Sequence, residues 1–248
     1  MSQQVRVAVF RPDDERLERA VDLLDSLGAT PVPDPMLAIE PTGATPATDA
    51  DYTIFTSKTG VELAADSGWS PSETTLVSIG PGTTGAAEAV GWTVDREPTT
   101  YSSTGLVDLL KNEVADKRVE VARSDHGSRE LLDGLEAADA DWSETVLYKL
   151  IRPPESGRSA ELVAEGKLEA AAFTSSLTVD HFLAAAEERG IREAAIDGLA
   201  EAVVGVIGEP TRETAEKRGI DVDIVPSEAT FEALATEVVE TAAPSYSE

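Results

Sequence analysis

Four short turns carry most of the chemistry open to this chain, and they come in matched pairs. Phe55-Thr56-Ser57 recurs as Phe173-Thr174-Ser175, and Ile79-Gly80-Pro81-Gly82-Thr83 recurs as Ile207-Gly208-Glu209-Pro210-Thr211. Each turn reads as a strand end followed by a helix start. A helix N-terminus exposes unpaired N–H groups and partial positive charge, so it attracts carboxylates and phosphates. Ser57, Thr83, Ser175 and Thr211 are therefore candidate binders of an anionic ligand, although capping its own helix is the commoner role for each taken alone. Lys58 follows the first serine, and Ser176 takes that position after the second. Arg11 and Arg123 each follow the first strand of a repeat. Two arginines kept in register in an acid-rich chain point either to anion binding or to ion pairs with neighbouring acids.

Other chemistry is thinly provided for. Cysteine is absent, which excludes disulfides and thiolate metal sites. Of the two histidines, His126 sits in Asp125-His126-Gly127-Ser128 and His181 lies beside Phe182 in a helical stretch, where a structural role is expected. No G-x-S-x-G nucleophile motif accompanies them, and no His/carboxylate spacing suits a metal. Gly80-Pro-Gly-Thr-Thr-Gly85 matches the G-x-G-x-x-G dinucleotide fingerprint by pattern. It falls outside the first βα unit, however, and its partner turn keeps only Gly208, so no cofactor is expected. Tyr148 stands out as a phenol where the other copy has Met36. It is either a packed ring with a satisfied hydroxyl or a proton donor.

The elements that position these groups follow from a longer repeat. Val5–Pro41 aligns without gaps on Lys117–Pro153, which places Arg11 on Arg123, Met36 on Tyr148 and Pro41 on Pro153. Alternating Val-rich runs predict strands at 5–10, 51–56, 75–79, 93–95, 118–122, 170–174, 202–207 and 222–225. Apolar residues at helical spacing, stopped by glycines such as Gly28 and Gly91, predict helices at 13–26, 58–65, 83–90, 105–114, 128–138, 176–189, 211–218 and 230–241. Pro31–Pro35 with Met36–Ile39 reads as a stiff connector, and 145–152 as its extended counterpart.

Strands alternating with helices indicate an α/β fold: two similar domains with parallel sheets flanked by helices, joined by a two-stranded linker. If both connectors cross between domains, residues 1–37 and 152–242 form a discontinuous domain and 40–147 an inserted one, with a disordered tail at 243–248. The paired turns then line the carboxyl edges of the sheets, where ligands bind in such folds, and a cleft between the domains is the expected site.

Composition narrows the partners. The net charge is −27 over 248 residues, with acids spread along the whole chain. No basic stripe exists to neutralise phosphates, so nucleic acid is not expected. Hydrophobic residues make up 41%, enough for packed cores. No run of about 18 apolar residues suggests a membrane span, and the N-terminus lacks the pattern of a signal peptide. A cytoplasmic protein, expected to be a monomer, is the simple reading. The dispersed acidity resembles adaptation to molar salt, where the Debye length falls to roughly 3 Å and self-repulsion is screened.

Taken in order, Phe10-Arg11-Pro12, Gly28 to Pro41, the two F-T-S turns and the two I-G-x-x-T turns resemble the uroporphyrinogen-III synthase family over roughly residues 5 to 240. That resemblance implies a two-domain fold with a double-stranded linker and no metal or organic cofactor. It implies a lyase acting on hydroxymethylbilane, a linear tetrapyrrole bearing eight carboxylates, which closes with loss of water and inversion of ring D through a spiro intermediate; the alternative is a non-catalytic two-domain protein that binds a tetrapyrrole or other small ligand. Unaided, the bilane closes to the uninverted isomer I. By the same resemblance Tyr148 matches a tyrosine proposed to help the hydroxyl leave, and Thr83 and Thr211 match substrate-site threonines. Gly85 and Glu213 depart from the family's usual alanine after the threonine region.

Overall fold

The computed structural model describes residues 5–243, so the tail expected at 243–248 falls outside the described residues from 244 onward. The chain divides into two compact units, one made of residues up to Ala38 and from Ile151 on, the other of Ile39–Leu150.

In the first unit, β1 (Arg6–Val9), β2 (Thr30–Pro33), β8 (Ala170–Phe173) and β9 (Val203–Val206) form a parallel sheet in the order β2-β1-β8-β9. Its helices are α1 (Glu15–Ser26), α6 (Arg158–Ala164), α7 (Ser176–Glu188), α8 (Arg192–Ala200), α9 (Glu209–Lys217) and α10 (Phe231–Ala242). Strand residues alternate between two cores, as the pleat requires. Val7 and Val9 meet Leu17, Leu24, Leu234 and Val238 on one face. Ala8 and Phe10 face the other, where Phe10 stacks on Phe173 at 4.5 Å between ring centroids and meets Phe182 edge-on.

The second unit contains β3 (Ala38–Pro41), β4 (Tyr52–Phe55), β5 (Thr75–Ser78), β6 (Arg118–Ser124) and β7 (Asp141–Ile151), in the order β3-β7-β6-β4-β5. Helices α2 (Lys58–Asp66), α3 (Pro81–Ala89), α4 (Ser103–Leu110) and α5 (Arg129–Ala137) cover it. Ile54 packs with Leu106 and Leu131 on one face, and Phe55 with Val61 and Trp69 on the other. The chain passes between the units twice, near 38 and near 151, and the strands carrying these passages, β3 and β7, are neighbours.

The repeat interlocks. Matched by repeat position, β2-β1-β8-β9 and β7-β6-β4-β5 are the same four strands in the same order. Each unit therefore takes the first half of one copy and the second half of the other, and neither copy forms a unit alone.

Several local expectations are corrected. The segment read as a connector at Pro31–Pro35 contains β2, whose Pro31 and Pro33 lie opposite Val7 and Val9. The ladder uses the N–H groups of Thr30, to Val5 O at 2.8 Å, and Asp34, to Val9 O at 3.0 Å. The prolines sit between those donors on an edge strand, where a missing N–H costs no ladder bond. The strands expected at 93–95 and 222–225 reduce to single bridges, Val77 with Arg96 and Gly205 with Ile224. Helices α6 and α8 carry no local start signal. Gly157 and Ile191 precede them and neither side chain caps. The cap of α6 comes from Asp34, whose buried carboxylate accepts from Gly157 N and Ser159 N at 2.8 Å each and from the Ser159 hydroxyl.

Candidate functional site

In the second unit the carboxyl edge brings Tyr148 and Ser57 together. Ser57 caps α2, accepting the Gly60 N–H at 3.1 Å, and Tyr148 Oη donates to the same Ser57 Oγ at 2.9 Å. A serine hydroxyl offers two acceptor sites and one donor. With both acceptor sites occupied, the Ser57 proton is the part left to face outward. Tyr148 is nearly buried and Ser57 half-buried, so the serine is the more accessible end of the pair.

A β-bulge creates this contact. Arg123 pairs with Val146 and Ser124 with Tyr148, so Leu147 is an extra residue in β7. In a regular strand Leu147 and Tyr148 would point to opposite faces. Here both join the core around Phe55, because the extra residue re-aims the tyrosine. Lys58 opens α2 but is exposed and pairs with Glu62 at 3.4 Å.

Thr83 and Thr211 are not the caps expected from the turn. Gly80 and Gly208 occupy the cap positions with no side-chain bond, and each threonine lies three residues inside its helix, almost fully buried. Among the described residues neither hydroxyl has a hydrogen-bond partner, and neither is a sealed-off buried atom, so each reaches solvent. The two ends differ in charge: Glu209 stands in the first turn of α9, whereas the first turn of α3 has no acid. Of the two helix starts, that of α3 is thus the more favourable for an anion.

Of the G-x-G-x-x-G run, Gly80 precedes α3 and the rest lies in its first turns, without the close helix–strand packing of the dinucleotide fingerprint. In the dinucleotide fold the third glycine permits close packing of helix on strand. At Gly85 a Cβ would meet no atom within 4 Å. Gly80 is the constrained glycine, because a Cβ there would lie 3.0 Å from the ring of Tyr101. Tyr101 is 61% exposed, and the scarcity of its type in this chain is the one sequence signal that marks it. Beside it, Ser78 and Thr84 share a hydrogen bond of 2.6 Å, and both reach the half-buried Glu97 carboxylate.

At the carboxyl edge of the first unit, Ser175 caps α7 and accepts from Thr178 N at 3.2 Å. Ser176 is tied to α9, donating to Pro210 O at 3.0 Å. Arg11 is half-buried with its guanidinium 5.0 Å from the Phe231 ring centroid. Burial holds its pKa below the usual arginine value, with Arg16 the next cause, while Glu232 and Asp14 oppose the shift.

Arg123, grouped with Arg11 as an anion binder, requires correction. Its side chain is only 4% exposed, its Nε bonds Glu144 at 2.6 Å and its Nη1 bonds Ser128 O at 2.5 Å. A Cβ on Gly127 would lie 2.4 Å from it, so the loop closes over the guanidinium. A guanidinium sealed from solvent and paired with Glu144 is closed to a ligand. The reason is visible in the repeat alignment, where Glu144 falls on Val32, so Arg11 has no equivalent acid.

The histidines take supporting positions. His126 Nδ1 lies 2.8 Å from Asp125 Oδ1. Burial works against the Asp125 carboxylate, but hydrogen bonds from His126 and the Leu150 N–H outweigh it and hold its pKa below the ordinary value. His181 Nδ1 meets Met36 O at 2.5 Å. A cavity of about 730 Å³ between Ser70–Thr75 and Gly91–Arg96 opens at the amino end of β5, away from these groups. Among the described residues no group of three His, Asp or Glu could hold a metal, and no helix is long and apolar enough to cross a membrane.

Comparison with known proteins places the chain among relatives. A family model described as uroporphyrinogen-III synthase HemD matches residues 18–236. A protein of Methanothermobacter thermautotrophicus, provisionally named a uroporphyrinogen-III synthase, is 30% identical over 230 residues, which are 86% of this chain and 90% of the relative. Among solved structures, a mutant uroporphyrinogen III synthase of the extremely thermophilic bacterium Thermus thermophilus superposes with a TM-score of 0.66 at 18% identity, covering 96% of this chain and 98% of that one. The enzyme of Helicobacter pylori does so with a TM-score of 0.60 at 13% identity, covering 96% and 99%. At these identities the structural likeness speaks for the fold.

Proposed function

Because this chain belongs to the uroporphyrinogen-III synthase family, we propose that it is itself the synthase, a lyase that closes hydroxymethylbilane to uroporphyrinogen III. The observation that carries the reading is the hydrogen bond from Tyr148 Oη to Ser57 Oγ at 2.9 Å. Loss of the bilane hydroxyl as water needs a proton at its oxygen. Tyr148 supplies one through Ser57, whose own O–H passes to the leaving group as the phenol reprotonates it. Ring closure through the spiro intermediate then releases a proton from carbon, which restores the pair. The net reaction needs no redox step.

The remaining task is conformational, since the free bilane closes to the wrong isomer. Holding ring D for inversion is a matter of orientation more than of nucleophilic power. The open hydroxyls of Thr83 and Thr211, the N-termini of α2 and α7 at Ser57 and Ser175, and Arg11 supply donors for carboxylates. Lys58 and Ser176 stand at the same helix ends as lesser contributors. A cysteine-free chain fits the cytoplasm, and the reading requires one copy of the chain and a small-molecule substrate.

Freshly made hydroxymethylbilane incubated with the protein in molar KCl should give, after oxidation, uroporphyrin isomer III well above a protein-free control. Isomer I alone from folded protein would overturn the proposal. A protein at −27 must also take up a polyanion, so activity should rise as KCl approaches molar concentration. Activity that is greatest near zero salt and falls steadily would remove the salt-adapted reading.

A further inference from the structure

The acidic chain leaves few cations uncommitted. Among the described residues four basic side chains lack a carboxylate within ion-pair distance: Lys117, Lys149, Arg158 and Arg11. The first three are exposed, where water satisfies them. Arg11 is not. A half-buried guanidinium without a counter-ion is costly unless something else completes it.

Arg11 lines a cavity of about 390 Å³ in the first unit, together with Arg16, Arg19, Thr174, Thr230 and Glu232. The cavity lies at the carboxyl ends of β1, β8 and β9, which Arg11, Thr174 and Ile207 follow, and Thr230 caps α10 on its far side. Arg16 and Arg19 are exposed and balanced by Asp14, at 2.5 Å, and Glu15, at 2.8 Å, so they form a rim. Glu232 is the one acid in the lining, and it does not come within ion-pair distance of Arg11. The Phe231 ring holds the guanidinium over its face, which fixes the direction of the N–H fork without using its donors.

We propose that this cavity is a subsite for one carboxylate-bearing arm of the ligand, with the Arg11 guanidinium as the group that meets the carboxylate. The volume admits a side chain of two or three carbons with its carboxylate and ordered water. A planar fork with free donors suits bidentate recognition of that group. The identity of the ligand rests on the tetrapyrrole reading above; the subsite itself rests on the cavity and on Arg11.

The test uses the full chain in constant molar KCl, with uroporphyrin III, an octacarboxylate, titrated by its fluorescence. Arg11→Met keeps an unbranched apolar side chain beside Phe231 and removes the charge. It should weaken binding about tenfold or more, and Arg11→Lys should recover part of the loss. With hydroxymethylbilane the effect should fall mainly on KM. Unchanged uroporphyrin binding by Arg11→Met, or no binding by the unsubstituted protein, overturns the subsite. A protein that binds uroporphyrin through Arg11 but forms no isomer III overturns the synthase reading and leaves the subsite standing.

Discussion

Tyr148→Phe should lower kcat for isomer III formation by about 10²- to 10³-fold, the usual contribution of a positioned general acid. The ring is packed with Phe55 and Leu147, and phenylalanine preserves that packing, so the change removes only the hydroxyl. Ser57 Oγ then keeps the Gly60 N–H and loses the donor that recharges it. KM should change little, because the side chain is nearly buried behind Ser57. As spontaneous closure continues unaided, the product should shift toward isomer I. Ser57→Ala should cost a similar factor, and the double variant little more, since the two hydroxyls act as one relay. The measurement is single-turnover kinetics with isomer analysis. A Tyr148→Phe enzyme within threefold of the parent would remove the phenol from the mechanism, and fully additive losses would remove the relay.

Asp34→Ala should produce the largest loss of stability, about 3 kcal/mol. The carboxylate is 3% exposed and completes three donors at the start of α6: Gly157 N, Ser159 N and Ser159 Oγ. Alanine leaves all three without an acceptor in a buried place, a larger loss than that of an ordinary exposed cap. Asparagine retains one acceptor oxygen and should lose about half as much. The effect belongs to the unit formed by the two ends of the chain, because Asp34 precedes β3 and Gly157 follows β7. Denaturant unfolding at fixed KCl gives the size, and amide exchange in α6 gives the place. A loss below about 1 kcal/mol would show that water replaces the carboxylate readily.

The fates of the two arginines show how far the linear pattern reaches. Arg11 and Arg123 share a repeat position, a residue type and an acid-rich setting, and on those grounds they look alike. One is sealed against Glu144 and the other faces a cavity. The discriminating signal is a single aligned pair, Glu144 against Val32, and it becomes meaningful only when β6 and β7 are known to be neighbours. Ser57 and Ser175 are legible as caps because a cap is made within three residues of itself. Thr83 and Thr211 stand at the expected turns but in a different role, since the glycine before each helix takes the cap.

What the chain's order of residues settled by itself was local or periodic. The α/β class follows from the alternation of Val-rich strands with amphipathic helices, and the doubled motifs from plain self-similarity. Those signals arise between residues a few positions apart, where the backbone restricts what neighbours can do. The tertiary structure decided everything that needed partners from distant parts of the chain. The interlocking of the copies depends on which strands pair, and the cap of α6 comes from a residue more than one hundred positions away. The aim of Tyr148 at Ser57 depends on one extra residue in β7, which reverses the face of every side chain after it. The physical reason is that burial, hydrogen bonding and charge pairing are set by proximity in space, and the fold brings together groups that the chain keeps far apart.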